Sequence, residues 1–337
     1  MSRLMIYGAT GYTARLATGY AKATGLDPLL AGRDAAALAG LNGETRAFTL
    51  DDQAAMDAAL SGVTVLLNCA GPFLRTAEPL MRAAIRNGVH YLDIAAELDS
   101  YRLAEKLDEE AAARGVMLLP GSGGSVAMLG CLAARAIETV SEPARIRIAL
   151  MVSGAMSRGS AISAAENVTV DLLVRADGAL VPSNTTALHE FDFGSGLAAS
   201  FPLTLPDLIT IWRETQVRNI TTFVHVAGDA FPGGDLSALP DGPTEAERAA
   251  NRYAAVAEVT AADGTVTLHR LETVNGYTFT SMAAAEAARR VLAGETRPGF
   301  QTPAGLFGSG FAETIADTSI SSIPNRPTPP PPQDPRV

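Results

Sequence analysis

The chain has 337 residues and a mass of 34.9 kDa, which is more than one ordinary domain requires and enough for two. An apolar fraction of 47%, a charged fraction of 18% and a mean hydropathy of +0.15 exclude an intrinsically disordered chain. The 26 basic and 36 acidic residues give a net charge of -10, so nucleic acid is not an expected partner. The two cysteines, Cys69 and Cys131, cannot build a disulfide framework and suit a reducing cytosol.

Two apolar stretches lack the pattern of a signal peptide or of a membrane-spanning segment. The run at the amino terminus reaches a glycine before it could form a signal-peptide core. The uncharged stretch 115–134 is long enough to span a bilayer, but Pro120 and several glycines interrupt it. We therefore expect a cytoplasmic protein without a membrane segment.

The first 125 residues alternate between short apolar runs and helical segments. Strands are predicted at 3–7, 28–32, 46–49, 63–68, 90–94 and 116–119. Helices are predicted between them, with caps at Asp51 or Asp52, at Thr76 and at Asp99. Because parallel strands joined by helices cross over with one hand, this alternation predicts an α/β fold with a doubly wound parallel sheet, the Rossmann type.

A different pattern follows Ser125. Helices are predicted at 126–140, 160–175 and 280–292, and strands at 145–152, 186–193, 217–227, 253–260 and 265–271. Ala262-Asp263-Gly264 between the last two strands indicates a hairpin. We predict a Rossmann domain at 1–125, an α+β domain with a mostly antiparallel sheet at 126–275, a helical segment at 276–320 that packs back on the Rossmann domain, and a proline-rich tail at 321–337.

A glycine-rich turn follows the first strand directly and opens the first helix. In the run GATGYTA, Gly8 permits the sharp turn, Gly11 permits close approach of a diphosphate, and Ala14 keeps the helix near the sheet. The free amides and the dipole of the helix start attract phosphate. The residues expected to contact a dinucleotide here are Gly8, Thr10, Gly11, Tyr12 and Thr13.

The end of the second strand distinguishes the two nicotinamide dinucleotides. NAD sites place an acid there for the ribose 2′-hydroxyl, whereas NADP sites accommodate the 2′-phosphate with a cation. The first charged residue here is Arg33, and Asp34 is expected to cap the following helix. We therefore predict NADP(H) as the cofactor; the alternative is that Arg33 only pairs with Asp34. Asp51 either contacts the adenine amine or caps a helix.

Two further loops are expected to face the same crevice. Cys69, Ala70, Gly71 and Pro72 follow the fourth strand, where a Rossmann chain passes the nicotinamide ribose. The glycine loop 121–125 follows the sixth strand, and it either faces the cofactor or serves as a flexible connection between domains.

Five motifs together resemble one family. GATGYTAR, AGRD, LNCAGPF, GVHYLDIAAE and GFQTPAGLFG are similar to the saccharopine dehydrogenase-like oxidoreductases, which share the NADP-binding domain of saccharopine reductase and include the trans-acting enoyl reductases. The resemblance implies an NADP(H)-binding Rossmann domain, a second α/β domain over the crevice and a homodimer. Relatives often carry an aromatic residue and an acid where this chain has Gly123-Gly124-Ser125, so a wider and less charged pocket floor is expected.

The richest polar cluster lies at the end of the fifth strand. Tyr91 and Asp93 fall on one face of that strand, and Glu97 follows in the next loop. We predict Tyr91 as a proton donor and Asp93 or Glu97 as groups that orient substrate or bind a ribose hydroxyl; the alternative is that the two carboxylates cap loops and helix starts. No tyrosine has a lysine four residues on, which excludes the short-chain dehydrogenase mechanism.

Other candidates are less specific. The four histidines are scattered singly, so no metal site is expected. Trp212 with the phenylalanines Phe191, Phe193 and Phe201 either lines an apolar substrate pocket or packs in a core.

The sequence thus predicts an NADP(H)-dependent oxidoreductase that reduces a C=N, C=C or C=O bond of a small metabolite. One alternative is a trans-acting enoyl reductase, which would dock an acidic carrier on an arginine pair such as Arg82 with Arg86 or Arg289 with Arg290. The other is a non-catalytic NADP-binding sensor or scaffold.

Overall fold

The computed structural model of the protein describes residues 3–167, 171–228 and 235–324. The amino-terminal elements are β1 (Leu4–Tyr7), α1 (Tyr12–Ala23), β2 (Leu29–Gly32), α2 (Ala35–Ala39), β3 (Thr45–Ala47), α3 (Gln53–Ala59), β4 (Val65–Asn68), α4 (Phe73–Asn87), β5 (His90–Asp93), α5 (Leu98–Lys106), α6 (Asp108–Ala113) and β6 (Met117–Leu119). The remaining elements are α7 (Gly124–Ile137), β7 (Pro143–Ser153), α8 (Arg158–Asn167), β8 (Leu173–Ala176), β9 (Ala179–Pro182), β10 (His189–Asp192), β11 (Leu197–Pro202), α9 (Asp207–Thr215), β12 (Asn219–Ala227), α10 (Glu245–Ala250), β13 (Tyr253–Ala261), β14 (Val266–Thr273), α11 (Gly276–Leu292), β15 (Gly299–Phe300), α12 (Pro303–Phe307) and β16 (Ser319–Ile323).

The first sheet is parallel throughout and has the strand order β15-β6-β5-β4-β1-β2-β3. The Rossmann prediction is therefore confirmed, with β1 and β4 at the point where the chain reverses its direction across the sheet. Both of these strands are fully buried along their length, as expected when helices cover both faces. The order opens a crevice at the carboxyl ends of β1 and β4, where ligands bind in this type of sheet.

The second sheet has the strand order β10-β11-β12-β7-β13-β14-β16, with β8 on β12 and β9 on β8. All of its pairings are antiparallel except that of β7 with β12. The mostly antiparallel sheet and the β13–β14 hairpin are thus confirmed. Gly264 has a φ of 88° in that hairpin turn, a conformation that glycine adopts without strain. Helix α7, nearly all of it buried, packs against this sheet and against helices α9, α11 and α12.

The carboxyl-terminal segment returns to the Rossmann domain. Helix α11 packs along α1, and β15 adds a seventh strand beside β6. Strand β16 instead pairs with β14 in the second sheet, so residues 321–323 belong to a strand and not to the predicted tail. The proline-rich part of that tail, from 325 onward, lies outside the described residues.

Several predicted boundaries were wrong for identifiable reasons. Helix α4 begins at Phe73 behind Pro72, and Thr76 does not cap it: its hydroxyl lies in the first turn and donates to the Ala70 carbonyl at 2.6 Å. Helix α5 begins behind Glu97, which leaves Asp99 inside its first turn. The helix predicted at 160–175 ends at Asn167, and β8 occupies the last part of that range.

Candidate functional site

A cavity of about 1520 Å³ runs along the carboxyl ends of the Rossmann strands and reaches the second sheet. It exceeds the roughly 300–1,000 Å³ of a pocket for one small molecule, so it has room for a dinucleotide and a second ligand. The predicted cofactor residues line it together: Gly8, Thr10, Gly11, Tyr12, Thr13, Arg33, Asp51, Cys69, Ala70, Gly71 and Pro72. Of the three predicted catalytic residues, Glu97 lines it as well.

The glycine turn has the geometry that a diphosphate requires. Gly8 has a φ of 80°, and a Cβ there would lie 2.8 Å from the Cβ of Ala70, so no larger residue fits. Its amide and that of Ala9 donate to the Ala31 carbonyl at 2.8 and 3.0 Å, which ties the turn to β2. No side chain caps α1 behind Gly11 within the described part of the chain. The amides of the helix start are therefore available to an anion.

The part of the crevice that follows β2 presents an exposed cation, Arg33. Arg33 is exposed directly after β2 and forms no ion pair with the residues that the structure describes. Asp34 caps α2 by accepting from the amides of Ala36 and Ala37 at 2.9 and 3.0 Å. The two side chains therefore have separate roles, and Arg33 is available to a 2′-phosphate.

Asp51 and Asp52 also have different roles. Asp52 caps α3 through the Ala55 amide at 2.9 Å, so Asp51 is not the cap. Asp51 lies on the cavity wall, and a hydrogen bond from Thr49 lowers the pKa of its carboxyl. An ionised carboxylate there can accept from the adenine amine.

Behind the cavity wall, a fully buried polar network joins three loops. Asn68 Nδ2 donates to the Tyr91 hydroxyl at 3.1 Å, and this hydroxyl donates to Asp93 Oδ2 at 2.9 Å. Asp93 Oδ1 accepts from the amides of Ala95 and Gly121 at 3.0 and 2.8 Å. The network therefore fixes the loops after β4, β5 and β6 relative to one another.

Burial dominates the electrostatics of this network. It raises the pKa of Asp93 to about 6, although the hydrogen bonds from Ala95, Gly121 and Tyr91 oppose the shift. Burial also raises the pKa of Tyr91 well above its usual value. Tyr91 and Asp93 are 0% exposed and neither lines the cavity, so the geometry does not place the Tyr91 hydroxyl where it can give a proton to a substrate.

Glu97 connects the network to the cavity. It is 5% exposed, and its carboxylate accepts from the amides of Ala96 and Phe73 at 3.0 and 3.4 Å. The second bond holds the start of α4, as the capping interpretation of these carboxylates expects. Glu97 also lines the cavity, as do Gly71 and Ser125 from the loops after β4 and β6.

The second domain supplies an apolar wall. Phe201 and Leu203 line the cavity and are 37% and 38% exposed, and the buried Leu150 and Val224 line it as well. Phe191 and Phe193 pack instead into a small core with Phe223, and Trp212 stacks under the Arg175 guanidinium. Of the four aromatic candidates, only Phe201 lies on the cavity wall.

Sequence reasoning missed the contribution of α8 and of the segment after residue 238. Arg158, Asp241 and Tyr277 all line the cavity near the glycine turn. None of them lies in a motif, because their approach to the turn depends on the packing of the second domain. The Asp241-Gly242-Pro243 run signals a turn, but it does not indicate what the turn contacts.

The arginines that the sequence suggests for docking an acidic carrier already form ion pairs within the protein. Arg82 and Arg86 pair with Glu78 and Asp57, and Arg289 and Arg290 both pair with Glu286. An acidic carrier would have to displace these carboxylates. Within the described ranges, no three or more histidine, cysteine or acidic side chains group as a metal site would require, and no helix has the length and apolarity to cross a membrane.

Fold and site together define a Rossmann dinucleotide-binding protein with a second, mixed-sheet domain over the crevice. Residues 4–119, from β1 through β6, match the family described as the saccharopine dehydrogenase NADP binding domain. The amino-terminal domain is therefore similar to this family, as the motif resemblance predicted, and the match supports a nicotinamide dinucleotide as the ligand class.

Curated relatives cover the same region. The human saccharopine dehydrogenase-like oxidoreductase is 28% identical over 144 residues, which are 36% of this chain and 34% of the relative. The bovine protein of the same description is 36% identical over 75 residues, 22% of this chain and 18% of the relative. The similarity thus spans about a third or less of these relatives' length.

Solved structures are similar over the whole chain. Apo saccharopine dehydrogenase (L-Glu forming) from Saccharomyces cerevisiae has a TM-score of 0.63 at 13% identity, covering 96% of this chain and 100% of the other. A meso-dapdh mutant with DAP from Clostridium tetani has a TM-score of 0.51 at 14% identity, covering 89% and 93%. At these identities the similarity shows a shared two-domain fold.

Proposed function

We propose that the protein is an NADP(H)-dependent oxidoreductase that transfers hydride to a C=N, C=C or C=O bond of a small, partly apolar metabolite. One observation carries the proposal. A single cavity joins the glycine turn and Arg33 at one end to apolar side chains of the second sheet at the other. Cofactor and substrate would therefore meet at the domain junction, near Glu97.

Arg33 supports NADP(H) over NAD(H). Its guanidinium is exposed at the end of β2, and Asp34 is occupied by the α2 amides. A guanidinium binds phosphate through two parallel hydrogen bonds, whereas a ribose hydroxyl is better recognised by an acid at this place.

A nicotinamide ring bound at the domain junction would supply the hydride. Glu97 is the residue that we expect to meet the substrate, because it alone of the three predicted catalytic residues lines the cavity. Its carboxylate would orient a polar hydrogen of the substrate or exchange a proton with it. Tyr91 and Asp93 would act as positioning residues, since their hydrogen bonds hold the loops on both sides of Glu97.

The substrate class follows from the opposite wall. Phe201 and Leu203 leave large apolar surfaces facing the cavity, and burial of such surface contributes about 25 cal/mol per Å². A metabolite with an apolar body and one reducible polar bond would cover these side chains and present its polar end to Glu97.

The test is a screen of imines, enones and ketones for oxidation of NADPH. With a substrate that reacts, Glu97→Gln is expected to lower kcat at least about tenfold and to leave NADPH affinity within about twofold, because proton transfer contributes typically 10²–10⁴-fold. Asp99→Asn is the matched control, since this carboxylate lies near Glu97 in sequence but is exposed and pairs with Arg102, three residues beyond Asp99. Unchanged turnover in Glu97→Gln would refute its role.

The same screen separates the alternatives. Reduction restricted to carrier-bound enoyl thioesters would identify a trans-acting enoyl reductase, and tight NADPH binding without any turnover would identify a sensor or scaffold. We further propose a cytoplasmic homodimer on the strength of the family resemblance. Light scattering of the purified protein tests the assembly, and a mass of one chain would contradict it.

A further inference from the structure

Residues 239–251, which we call the strap, extend from the second domain onto the glycine turn. The Tyr12 hydroxyl donates to the Pro243 carbonyl at 2.5 Å and accepts from Arg248 Nη1 at 2.7 Å. Gly242 lies against the same ring, and a Cβ there would come within 2.6 Å of it. The strap is therefore fixed on the residue that begins α1.

This docking places one carboxylate between two arginines. Asp241 Oδ2 lies 3.0 Å from Arg15 Nη2 on the Rossmann side, and Oδ1 pairs with Arg158 Nη2 on the second domain. The other amino group of Arg15 donates to the Thr10 carbonyl at 2.6 Å. The Arg15 guanidinium therefore links the Asp241 carboxylate to the glycine turn. Asp241 and Arg158 line the same cavity as Thr10 and Gly11.

The start of α8 is held in this place independently of Asp241. The Ser157 amide donates to the Tyr277 hydroxyl at 2.7 Å, and the Tyr277 ring meets the Tyr12 ring edge-on with centroids 5.4 Å apart. Arg158 Nη1 also donates to the Leu239 carbonyl at 3.3 Å. Loss of the ion pair to Asp241 would therefore leave Arg158 beside the glycine turn.

We propose that Arg158 is a ligand of the cofactor's diphosphate, contributed by the second domain, and that Asp241 competes with the diphosphate for its guanidinium. This inference rests on the proposed function. The Arg158 and Asp241 side chains are 41% and 52% exposed, so their pair contributes at most about 1 kcal/mol and is readily exchanged. A diphosphate carries two negative charges and accepts bidentate hydrogen bonds from a guanidinium.

Competition between Asp241 and the diphosphate for Arg158 changes the affinity of the protein for the dinucleotide. A carboxylate at the edge of the phosphate site repels the diphosphate and occupies its arginine, so Asp241 lowers the affinity for the dinucleotide. The strap thereby makes cofactor binding weaker than the glycine turn and Arg158 alone would allow, which favours exchange of oxidised for reduced cofactor.

Fluorescence titration of NADPH into the full chain tests the proposal. Arg158→Gln is expected to raise the Kd about tenfold, and Asp241→Asn to lower it about threefold, as for one charge-assisted hydrogen bond and one exposed charge. Arg114→Gln and Glu190→Gln are matched controls, because each makes the same change of charge at an exposed residue outside the strap and away from these contacts. Adenosine 2′-phosphate, which has no diphosphate, should bind wild type and Arg158→Gln equally.

Three outcomes would overturn the proposal while leaving the proposed function intact: an unchanged NADPH Kd in Arg158→Gln, an equal loss of affinity for adenosine 2′-phosphate, or weaker NADPH binding in Asp241→Asn. Weaker NADPH binding in Asp241→Asn would show that the ion pair between Arg158 and Asp241 stabilises the site and does not compete with the diphosphate. If wild type binds neither NADPH nor NADH, the proposed function fails as well, and this inference fails with it.

Discussion

The Tyr91 hydroxyl donates a 2.9 Å hydrogen bond to Asp93 Oδ2, and both side chains are fully buried behind the wall of the dinucleotide cavity. Asp93 in turn accepts from two loop amides, and Asn68 donates to the same tyrosine hydroxyl. This pair therefore determines where the loops that carry Gly71, Glu97 and Ser125 lie.

Tyr91→Phe removes the hydroxyl from this network. We expect the free energy of unfolding to fall by about 1–3 kcal/mol, because Asp93 Oδ2 loses its donor inside the protein. Since the hydrogen bond from Tyr91 lowers the pKa of Asp93, that pKa should rise further above about 6. Urea unfolding and carboxyl NMR measure the two effects.

The matched control for that prediction is Tyr101→Phe. Tyr101 is equally buried, but its hydroxyl donates to the Ala95 carbonyl at 2.6 Å and not to a carboxylate. This variant should lose stability without moving the Asp93 titration. An Asp93 pKa unchanged in Tyr91→Phe would refute the assigned coupling.

The Rossmann half was predictable from the sequence because its signals are local. Each strand is a short apolar run, and the glycine turn directly follows the first of them. Strand β15 was not predicted, because two residues are too few to show a period. The helix predicted to 175 was overextended, since β8 forms a hairpin with the adjacent β9 and pairs with β12, which lies far along the chain.

The site was predictable where one motif supplies several contacts and unpredictable where two domains meet. Strand alternation correctly placed Tyr91 and Asp93 on one face, but it does not report depth, and both residues are covered by neighbouring loops. Arg158 and Asp241 approach the glycine turn only because the second domain folds over it. No sequence period encodes such an approach.

Gly8→Ala tests the glycine turn. The left-handed φ of 80° costs an L-residue about 1–2 kcal/mol, and the added Cβ would meet Ala70 at 2.8 Å, which would displace the turn. NADPH affinity should fall at least about tenfold, the usual cost of one lost phosphate contact. Isothermal calorimetry measures it.

Gly25→Ala is the control for Gly8→Ala. Gly25 has a nearly equal φ of 85° but nothing within 4 Å of an added Cβ, so it carries the backbone strain without the clash. Gly25→Ala should lower the free energy of unfolding by a similar amount, because the backbone strain is similar, and it should leave the NADPH affinity unchanged. Equal affinity losses in both variants would show that contact with Ala70 is unimportant.

Asp207 gives a prediction for pH dependence. It is fully buried, neither carboxylate oxygen has a hydrogen-bond partner in the described structure, and burial raises its pKa to about 7. Because the folded pKa lies above the unfolded one, the stability contribution is complete below about pH 4 and is lost as the pH rises to about 7. Stability should therefore decrease over this interval.

Asp207→Asn should flatten this decrease and raise stability above pH 7 by an amount on the order of 2–4 kcal/mol, since no buried charge forms. Thermal unfolding from pH 4 to pH 8 measures it, with the exposed Glu190→Gln as the control. A variant with the pH profile of wild type would show that Asp207 does not titrate in this range.

The central claim is that the glycine turn and Arg33 form an NADP(H) site, and parallel titrations of NADPH and NADH into wild type and Arg33→Gln test it most directly. Wild type should bind NADPH at least about tenfold more tightly than NADH, and the variant should bind the two almost equally, because a guanidinium–phosphate pair accounts for the difference. Equal affinities in wild type would contradict the assignment of Arg33, and no binding of either nucleotide would contradict the site itself.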